Sequence, residues 1–289
     1  MDGSMPPNQQ IIPRKGPDFG LDGDIPRHWF GGDPFKTRFF DAMSLLFPEG
    51  EKFFIQCVRD YRERITDPQM QADVKDFIYQ EGQHGMVHDA YNRRVATQGV
   101  AVDHIEARML KMLAFQRRNF SRKMTLAQTA AAEHMTAIMA HSFMADREMF
   151  AAADPRMRAL YVWHAIEEIE HKSVAYDVMQ KVAKVGYGWR ILGMLYLSVV
   201  FPLHTFLILR HMLKVDGVKN RFGVWMRGLA WLYGPRGVMT KLLPHYLAYY
   251  RPGFHPWTAG QMATYTTWRQ VFDQSGDAIA AANALHPVT

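Results

Sequence analysis

Residues 163–173 read WHAIEEIEHKS, and the fold can be worked out from this stretch outward. It places three glutamates and two histidines within the eight residues from His164 to His171, among neighbours that are mainly apolar. A helix of this composition is buried on most sides, and an unpaired buried carboxylate is costly. We therefore expect a positive charge between the carboxylates, and a metal ion is the simplest source of it.

The motif Glu-x-x-His occurs in this stretch and once more along the chain. It is formed by Glu168 and His171 in EEIEH, and by Glu81 and His84 in QEGQH. Side chains at positions i and i+3 of a helix lie on one face, about 5 Å apart along the axis. A carboxylate and an imidazole at this spacing can reach the same metal ion.

The two motifs also share a frame within their helices. An Asp-Pro pair is a typical helix start, with Asp as the N-cap and Pro in the first turn. Fourteen residues separate Asp67 from Glu81, and the same number separates Asp154 from Glu168. The motifs are therefore predicted to lie at equal depth in two helices that begin in the same way.

Two further glutamates complete a ligand set. Glu51 in FPEGEKFF and Glu133 in AAAEHMTA each lie in a helical segment that precedes one of the motif helices. One Glu from each of two helices, with a Glu-x-x-His from each of the other two, is the ligand pattern of di-iron and di-manganese carboxylate proteins. The sequence thus predicts a site for two metal ions.

Other polar residues lie on or beside the same helix faces. His164 precedes the second motif by one helical turn and is expected to be a further ligand. His88 follows the first motif by one turn and is either an additional ligand or a support for the ligands. Glu167 and Gln80 directly precede the motif glutamates, and we expect them to orient the histidines through the free ring nitrogens. The residues expected to point away from the metals are His134, Glu148 and Glu170.

The helical periodicity predicts an all-α protein whose core is a ferritin-like four-helix bundle. Two antiparallel helix pairs are joined by a long crossover between the second and third helices, at residues 98–124, which contains a short helix of its own. The predicted helices run from Pro48 to about Ile65, from Asp67 to just before Gly99, from about Thr125 to Ala153, and from Asp154 to about Gly186. The predicted segments are an extended N-terminal arm (1–34), the di-metal bundle (35–185) and an apolar and basic helical extension (186–289).

Three segments, FPEGEKFF, FIYQEGQHGMVHDAYNRRV and WHAIEEIEHKSVAYDV, resemble a bacterial family named as predicted metal-dependent hydrolases, within the wider ferritin-like group. The resemblance covers residues 25–215 and implies a ferritin-like bundle with a metal centre. The spacing His-x-x-x-Glu-x-x-His, formed by His164, Glu168 and His171, is similar to that of the p-aminobenzoate N-oxygenase group of di-iron enzymes. That likeness implies that His164 joins the ligands.

The donor set favours iron, because hard anionic oxygens stabilise the ferric state while imidazoles and open positions leave room for O2. We expect two Fe ions, with Mn or a mixed Fe/Mn pair as alternatives. The expected reaction is an O2-dependent hydroxylation, desaturation or N-oxygenation of an apolar small molecule or lipid, with electrons from a donor protein or reductase. One alternative is hydrolysis by a water molecule that two metals activate. A second alternative is a non-catalytic iron-binding protein.

Residues 191–209, ILGMLYLSVVFPLHTFLIL, carry no acidic or basic side chain other than His204. As a helix they span about 28 Å, close to the thickness of a bilayer core. Pro202 and His204 leave two options open: contact with a membrane surface, or packing on the bundle or on a second subunit of a homodimer. Because the N-terminus lacks the apolar run of a signal peptide, we expect a cytoplasmic protein, associated with the inner face of the membrane under the first option.

The composition bears on three further possibilities: disulfides, thiolate metal sites and nucleic-acid partners. The one cysteine, Cys57, excludes an intrachain disulfide and a thiolate metal site, and is expected to be a small buried hydrophobe. The formal net charge is +6, but no dense Lys/Arg cluster accompanies a recognisable binding module, so no nucleic-acid partner is expected.

Overall fold

The computed structural model describes residues 10–146, 148–258 and 263–285. Within these residues the secondary structure is helical, with no strand beyond the isolated bridge between Phe30 and Ala153. The all-α class and the helical bundle are therefore confirmed. The first helices are α1 (Pro34–Ser44), α2 (Phe47–Arg59), α3 (Pro68–Ala96), α4 (Val102–Asn119), α5 (Arg122–Ala145), α6 (Pro155–His171) and α7 (Val174–Asp177). The later ones are α8 (Tyr187–Val215), α9 (Phe222–Tyr233), α10 (Val238–Ala248), α11 (Ala263–Ser275) and α12 (Ala278–Leu285).

The two Asp-Pro pairs begin helices as predicted. The Asp67 carboxylate accepts a hydrogen bond from the backbone N–H of Gln69 at 3.0 Å, and Asp154 accepts one from Arg156 at the same distance. Each bond satisfies one of the N–H groups that the first turn of a helix leaves without a partner. The shared helix start therefore sets α3 and α6 in the same frame.

The bundle core is built from α2, α3, α5 and α6. Helix α2 packs against α3, and α5 packs against α6; contacts between α2 and α5 and between α3 and α6 close the arrangement. The crossover between α3 and α5 is long and carries α4, as expected. Each helix thus turns one face toward a common interior.

One helix start was not anticipated, although the sequence contains its signal. Helix α1 begins at a third Asp-Pro pair, where the Asp33 carboxylate accepts hydrogen bonds from the backbone N–H groups of Phe35 and Lys36. It packs against α3 and α8, and so extends the wall of the bundle near the site.

Two predicted helix ends are wrong. Helix α2 ends at Arg59 rather than near Ile65, because a separate 3-10 turn occupies Arg62–Arg64. Helix α5 ends at Ala145 rather than Ala153, because the next residue, Asp146, has an extended backbone that cannot continue the helix.

The predicted fourth helix is interrupted rather than continuous. Helix α6 ends at His171, the last residue of the second motif, and a turn at Lys172 and Ser173 follows. The chain then resumes as α7 and a π-helical segment, Val178–Val182. Irregular turns of this kind are frequent at functional sites.

The extension packs on the bundle through one face of α8, which contacts α5 and α1. A methyl group added at Gly193 would lie 2.7 Å from the backbone carbon of Ala127, so the two helices touch closely there. The opposite face is exposed at Leu195 (49%), Val199 (65%) and Leu203 (52%). Among the described residues, α8 alone has the length and composition of a membrane span, a test that core helices of soluble proteins also pass.

Over residues 10–33 the arm runs along the bundle without forming a helix. Residues 1–9 of this predicted segment lie outside the described residues. Farther along, Phe19, Trp29 and Phe30 are buried in the same hydrophobic cluster as Leu209 of α8 and Leu285 of α12. Arm, bundle and extension therefore share one core, and α12 packs directly on α6.

Candidate metal centre

The seven predicted ligands meet in the interior of the bundle. They come from α2, α3, α5 and α6, and each has an exposed fraction of 6% or less. Six of them form two groups of three. Within each group the donor atoms lie within 4.8 Å of one another, and Glu133 lies near the second group. The groups are Glu51, His84 and His164, and Glu81, Glu168 and His171.

Glu168 lies between the two groups. Its Oε1 is 3.0 Å from Nε2 of His164 and 3.8 Å from Nδ1 of His84, and its Oε2 is 3.7 Å from Nε2 of His171. Nε2 of His171 is also 3.1 Å from Glu81 and 3.4 Å from Glu133. Glu168, a member of the second group, thus also faces the first, and it could contribute a ligand oxygen to either group.

Several buried donor atoms of this cluster have no hydrogen-bond partner. Both carboxylate oxygens of Glu51 and of Glu81 are unpartnered, as are Glu133 Oε2, His84 Nδ1 and His171 Nε2. Burial, together with repulsion from the neighbouring glutamates, raises the pKa of Glu51 well above its usual range. Burial raises the pKa of Glu133 in the same way. Because unsatisfied buried acceptors are destabilising, cations bound between these atoms would stabilise the interior.

The electrostatic field of the cluster attracts positive charge. Burial alone would lower the pKa of His171, but the nearby carboxylates of Glu168 and Glu81 outweigh it and raise the pKa well above the usual value. The four glutamates Glu51, Glu81, Glu133 and Glu168 carry four negative charges when ionised, which two divalent ions would balance. The residues present therefore fit a dinuclear metal site by donor type, number and charge.

A hydrogen-bond chain determines which nitrogen of His164 faces the centre. Ser44 Oγ donates to Asn92 Oδ1 (2.8 Å), so it accepts from His88 Nδ1 (2.8 Å). The other nitrogen of a neutral His88, Nε2, must then accept from His164 Nδ1 (2.8 Å). Burial lowers the pKa of His88 well below its usual value, which keeps the ring neutral. Nε2 is thereby the ring nitrogen of His164 that faces Glu168, at 3.0 Å from its Oε1.

Both ring nitrogens of His88 are engaged in these hydrogen bonds. The geometry therefore favours a role for His88 in orienting His164 over direct binding of a metal. Glu167 and Gln80 stand in comparable positions behind the other two histidines. His84 Nε2 donates to Glu167 (3.1 Å), and His171 Nδ1 donates to Gln80 (3.0 Å). In each case the remaining ring nitrogen points to the glutamate cluster, as metal-binding histidines require.

A buried ionic network behind the centre was not anticipated. Arg14 of the arm donates to both oxygens of Glu170, at 2.9 and 2.7 Å, and to Glu167 at 3.4 Å. Glu170 also accepts from Gln80 (2.8 Å) and from the Tyr265 hydroxyl (2.8 Å). Glu170 thus points away from the cluster of predicted ligands, but it is fully buried and links the arm and α11 to Gln80 and Glu167.

Two other residues also lie where the sequence predicts them. His134 Nε2 donates to the backbone carbonyl of His245 (3.1 Å), away from the cluster. Cys57 is fully buried, and burial raises the pKa of its thiol.

An apolar cavity adjoins the cluster on one side. Its walls include Met43, Phe47, Met139 and Phe143, and two of the predicted ligands, His164 and Glu168, also line it. The hydroxyl of Thr136, also in the wall, donates a short hydrogen bond to Glu168 Oε2. A second, larger apolar cavity shares Phe47, Thr136 and Met139 with the first, so the two are adjacent.

The fold and the site define an all-α helical-bundle protein with clustered Glu and His residues suited to hold metal ions. The chain belongs to the family described as predicted metal-dependent hydrolase, whose model matches residues 13–260. Comparisons with curated proteins and with solved structures found no match. The ferritin-like assignment, the segment boundaries and the individual ligand roles stay predictions.

Proposed function

We propose that this protein is a dinuclear metal-dependent enzyme that acts on an apolar molecule. The observation that carries the proposal is the set of buried, unpartnered carboxylate oxygens at the meeting point of four helices. The residues that would hold the two ions are Glu51, Glu81, His84, Glu133, His164, Glu168 and His171. When bound, two divalent ions would polarise a substrate oxygen and lower the pKa of water.

Hydrolysis is the reaction that the family description supports, and we take it as the first candidate. Around the metal site, the chain's own residues would orient the ligands and exclude bulk water. Thr136 holds one oxygen of Glu168, while Glu167 and Gln80 hold two of the histidine rings. The apolar wall formed by Met139, Phe143 and their neighbours keeps bulk water from the cluster.

O2-dependent oxidation is the second candidate, with two Fe ions, or Mn or mixed Fe/Mn, and an external electron donor. One observation favours it: the cavity that meets His164 and Glu168 is lined mainly by Met, Phe and Ala side chains. Such walls would hold the hydrocarbon part of a substrate, rather than a hydrolysable polar bond, beside the metals. The oxygen-rich donor set also suits iron.

One experiment separates the candidates. Protein loaded with Zn(II), and separately with Fe(II), is assayed for hydrolysis of p-nitrophenyl octanoate without O2, and for O2 consumption with a chemical reductant and octane. Hydrolysis by the Zn(II) form that is lost in Glu168→Gln, but not in the surface variant Glu49→Gln, supports the first candidate. O2 consumption by the Fe(II) form alone, with no Zn(II)-supported hydrolysis, supports the second. Absence of bound metal after loading would contradict both.

The location that we propose follows from α8. Its exposed apolar face at Leu195, Val199 and Leu203 suits contact with the inner face of a membrane, from which an apolar substrate could be drawn. A protein that fractionates wholly with the soluble phase at low salt, without detergent, would contradict this association and leave the metal centre unaffected.

A further inference from the structure

The larger apolar cavity lies between α2, α4, α5 and α8. Its lining side chains are mainly Leu, Met, Phe and Ala, and none of them is an Asp, Glu, Lys or Arg. One polar residue in this wall is anomalous. Gln128 of α5 is 3% exposed, and neither its amide nitrogen nor its amide oxygen has a hydrogen-bond partner in the protein.

A buried amide without partners destabilises the fold that contains it. A leucine or methionine at this position would fill the same apolar wall without that cost. The amide offers one acceptor and two donor hydrogens toward the cavity, and it carries no charge. A second glutamine, Gln116 of α4, lines the same cavity and is 4% exposed. This cavity therefore suits a molecule with a neutral hydrogen-bonding group.

The cavity approaches the cluster of predicted ligands through Thr136. Thr136 lies eight residues after Gln128 on α5, which corresponds to about 12 Å along the helix. The Thr136 side chain lines the cavity and also bonds to Glu168. A chain-like molecule that is anchored at Gln128 would thus extend its apolar portion toward the metals.

We propose that this cavity binds an uncharged amphiphile, with an apolar chain and one hydrogen-bonding head group, and that Gln128 recognises the head group. The absence of Lys and Arg from the lining argues against a carboxylate or phosphate head. The inference rests on the proposed function only where it concerns the reaction of the apolar chain of the bound amphiphile at the metals. Binding itself needs the cavity and Gln128, not the metals.

The test compares two probes of similar length, octanamide and 1-fluorooctane, by ligand-observed NMR on the full chain. Only octanamide can both donate to and accept from the glutamine amide. We expect octanamide to bind about tenfold more tightly than 1-fluorooctane, as one net hydrogen bond would give. In Gln128→Leu the preference should disappear, with binding of 1-fluorooctane retained. Gln128→Met, a close match in length, serves as a second variant if the first folds poorly.

Two controls complete the design. Gln98→Leu removes another glutamine with a buried, unpartnered side-chain oxygen, but outside this cavity, and should keep the preference. Met112→Trp fills the cavity and should abolish binding of both probes. The inference is overturned if the wild type shows no preference, if Gln128→Leu keeps it, or if Met112→Trp binds both probes normally.

Metal content is measured on the same preparations, so the two proposals fail separately. Protein that holds two metals but shows no preference for octanamide overturns the head-group inference alone. Protein that shows the preference but holds no metal overturns the dinuclear centre alone.

Discussion

Replacement of Glu51 by Gln should have opposite effects on the metal-free protein and on its response to metal. Both carboxylate oxygens of Glu51 are buried without a partner, and burial together with three other glutamates raises its pKa. In the metal-free protein, folding must therefore bury a negative charge there or take up a proton, and a neutral glutamine does neither. Although the amide stays unpartnered, we expect the free energy of unfolding to rise by about 1–3 kcal/mol, because an unsatisfied buried charge costs more than an unsatisfied neutral group.

In the metal-loaded protein the same substitution removes a ligand. Loss of even a supporting residue weakens metal affinity by about tenfold or more. A tenfold loss lowers the stabilisation by metal, at a fixed concentration above the dissociation constant, by about 1.4 kcal/mol. For a chain of this size, 1 kcal/mol corresponds to about 2–4 °C in melting temperature. The metal-free melting temperature should therefore rise by roughly 2–12 °C, while the increment that metal adds should shrink by about 3 °C or more.

The assay is differential scanning calorimetry with and without Fe(II) or Zn(II), on chelator-treated protein with verified metal content. Glu49→Gln is the matched control, because Glu49 lies on the same helix and pairs with Lys52 at the surface. Its effect should stay within about 0.5 kcal/mol in both states. The reasoning is refuted if Glu51→Gln behaves like this control, or if metal removal leaves the wild-type melting temperature unchanged.

Three further outcomes follow from the buried polar groups. Arg14→Met leaves Glu170 buried without its cation and should destabilise the protein by about 3–5 kcal/mol in urea unfolding. His88→Leu removes the acceptor of His164 and should weaken metal affinity about 10–100-fold in chelator competition, with the helical circular dichroism spectrum unchanged. Burial would raise the pKa of Asp216, but hydrogen bonds, mainly from Arg38, hold it well below the usual value. The stability that Asp216 contributes is therefore present above about pH 4 and is lost as pH falls further. In Asp216→Asn, the free energy of unfolding should fall less steeply with decreasing pH in this acid range.

Each of these outcomes has a control or a contrary result. Arg156→Met breaks a partly exposed pair with Asp154 and should cost less than about 1 kcal/mol. An unchanged metal affinity in His88→Leu would show that the hydrogen-bond chain does not orient His164. An acid limb as steep in Asp216→Asn as in the wild type would assign the acid sensitivity to other carboxylates.

The ligand cluster could be predicted because its information is local. Glu-x-x-His places two donors on one helix face whatever the helix packs against, and the shared Asp-Pro start equalises the depth of Glu81 and Glu168. The same reasoning found Gln80 and Glu167, since a position beside a ligand on a helix is defined by the helix itself. Asn92 was missed although it follows His88 by one turn, and Asp33-Pro34 was missed although it repeats the capping signal.

Helix ends and long-range partners depended on contacts that no local pattern encodes. Helix α5 stops at Ala145 because Asp146 is extended, and no Gly or Pro marks that point. Arg14 reaches Glu170 across 156 residues of chain, and Tyr265 reaches it across 95. Such pairings arise only when the arm and the extension close over the bundle.

The amino-acid sequence by itself determined the helical class, the two motif helices and the set of donors, because helical periodicity and capping act within a few residues. Tertiary structure alone decided which ring nitrogen of each histidine faces the glutamate cluster, how Glu170 is neutralised, and where the cavity with Gln128 lies. These features depend on distances between segments far apart in the chain, and those distances are set by packing of the whole core.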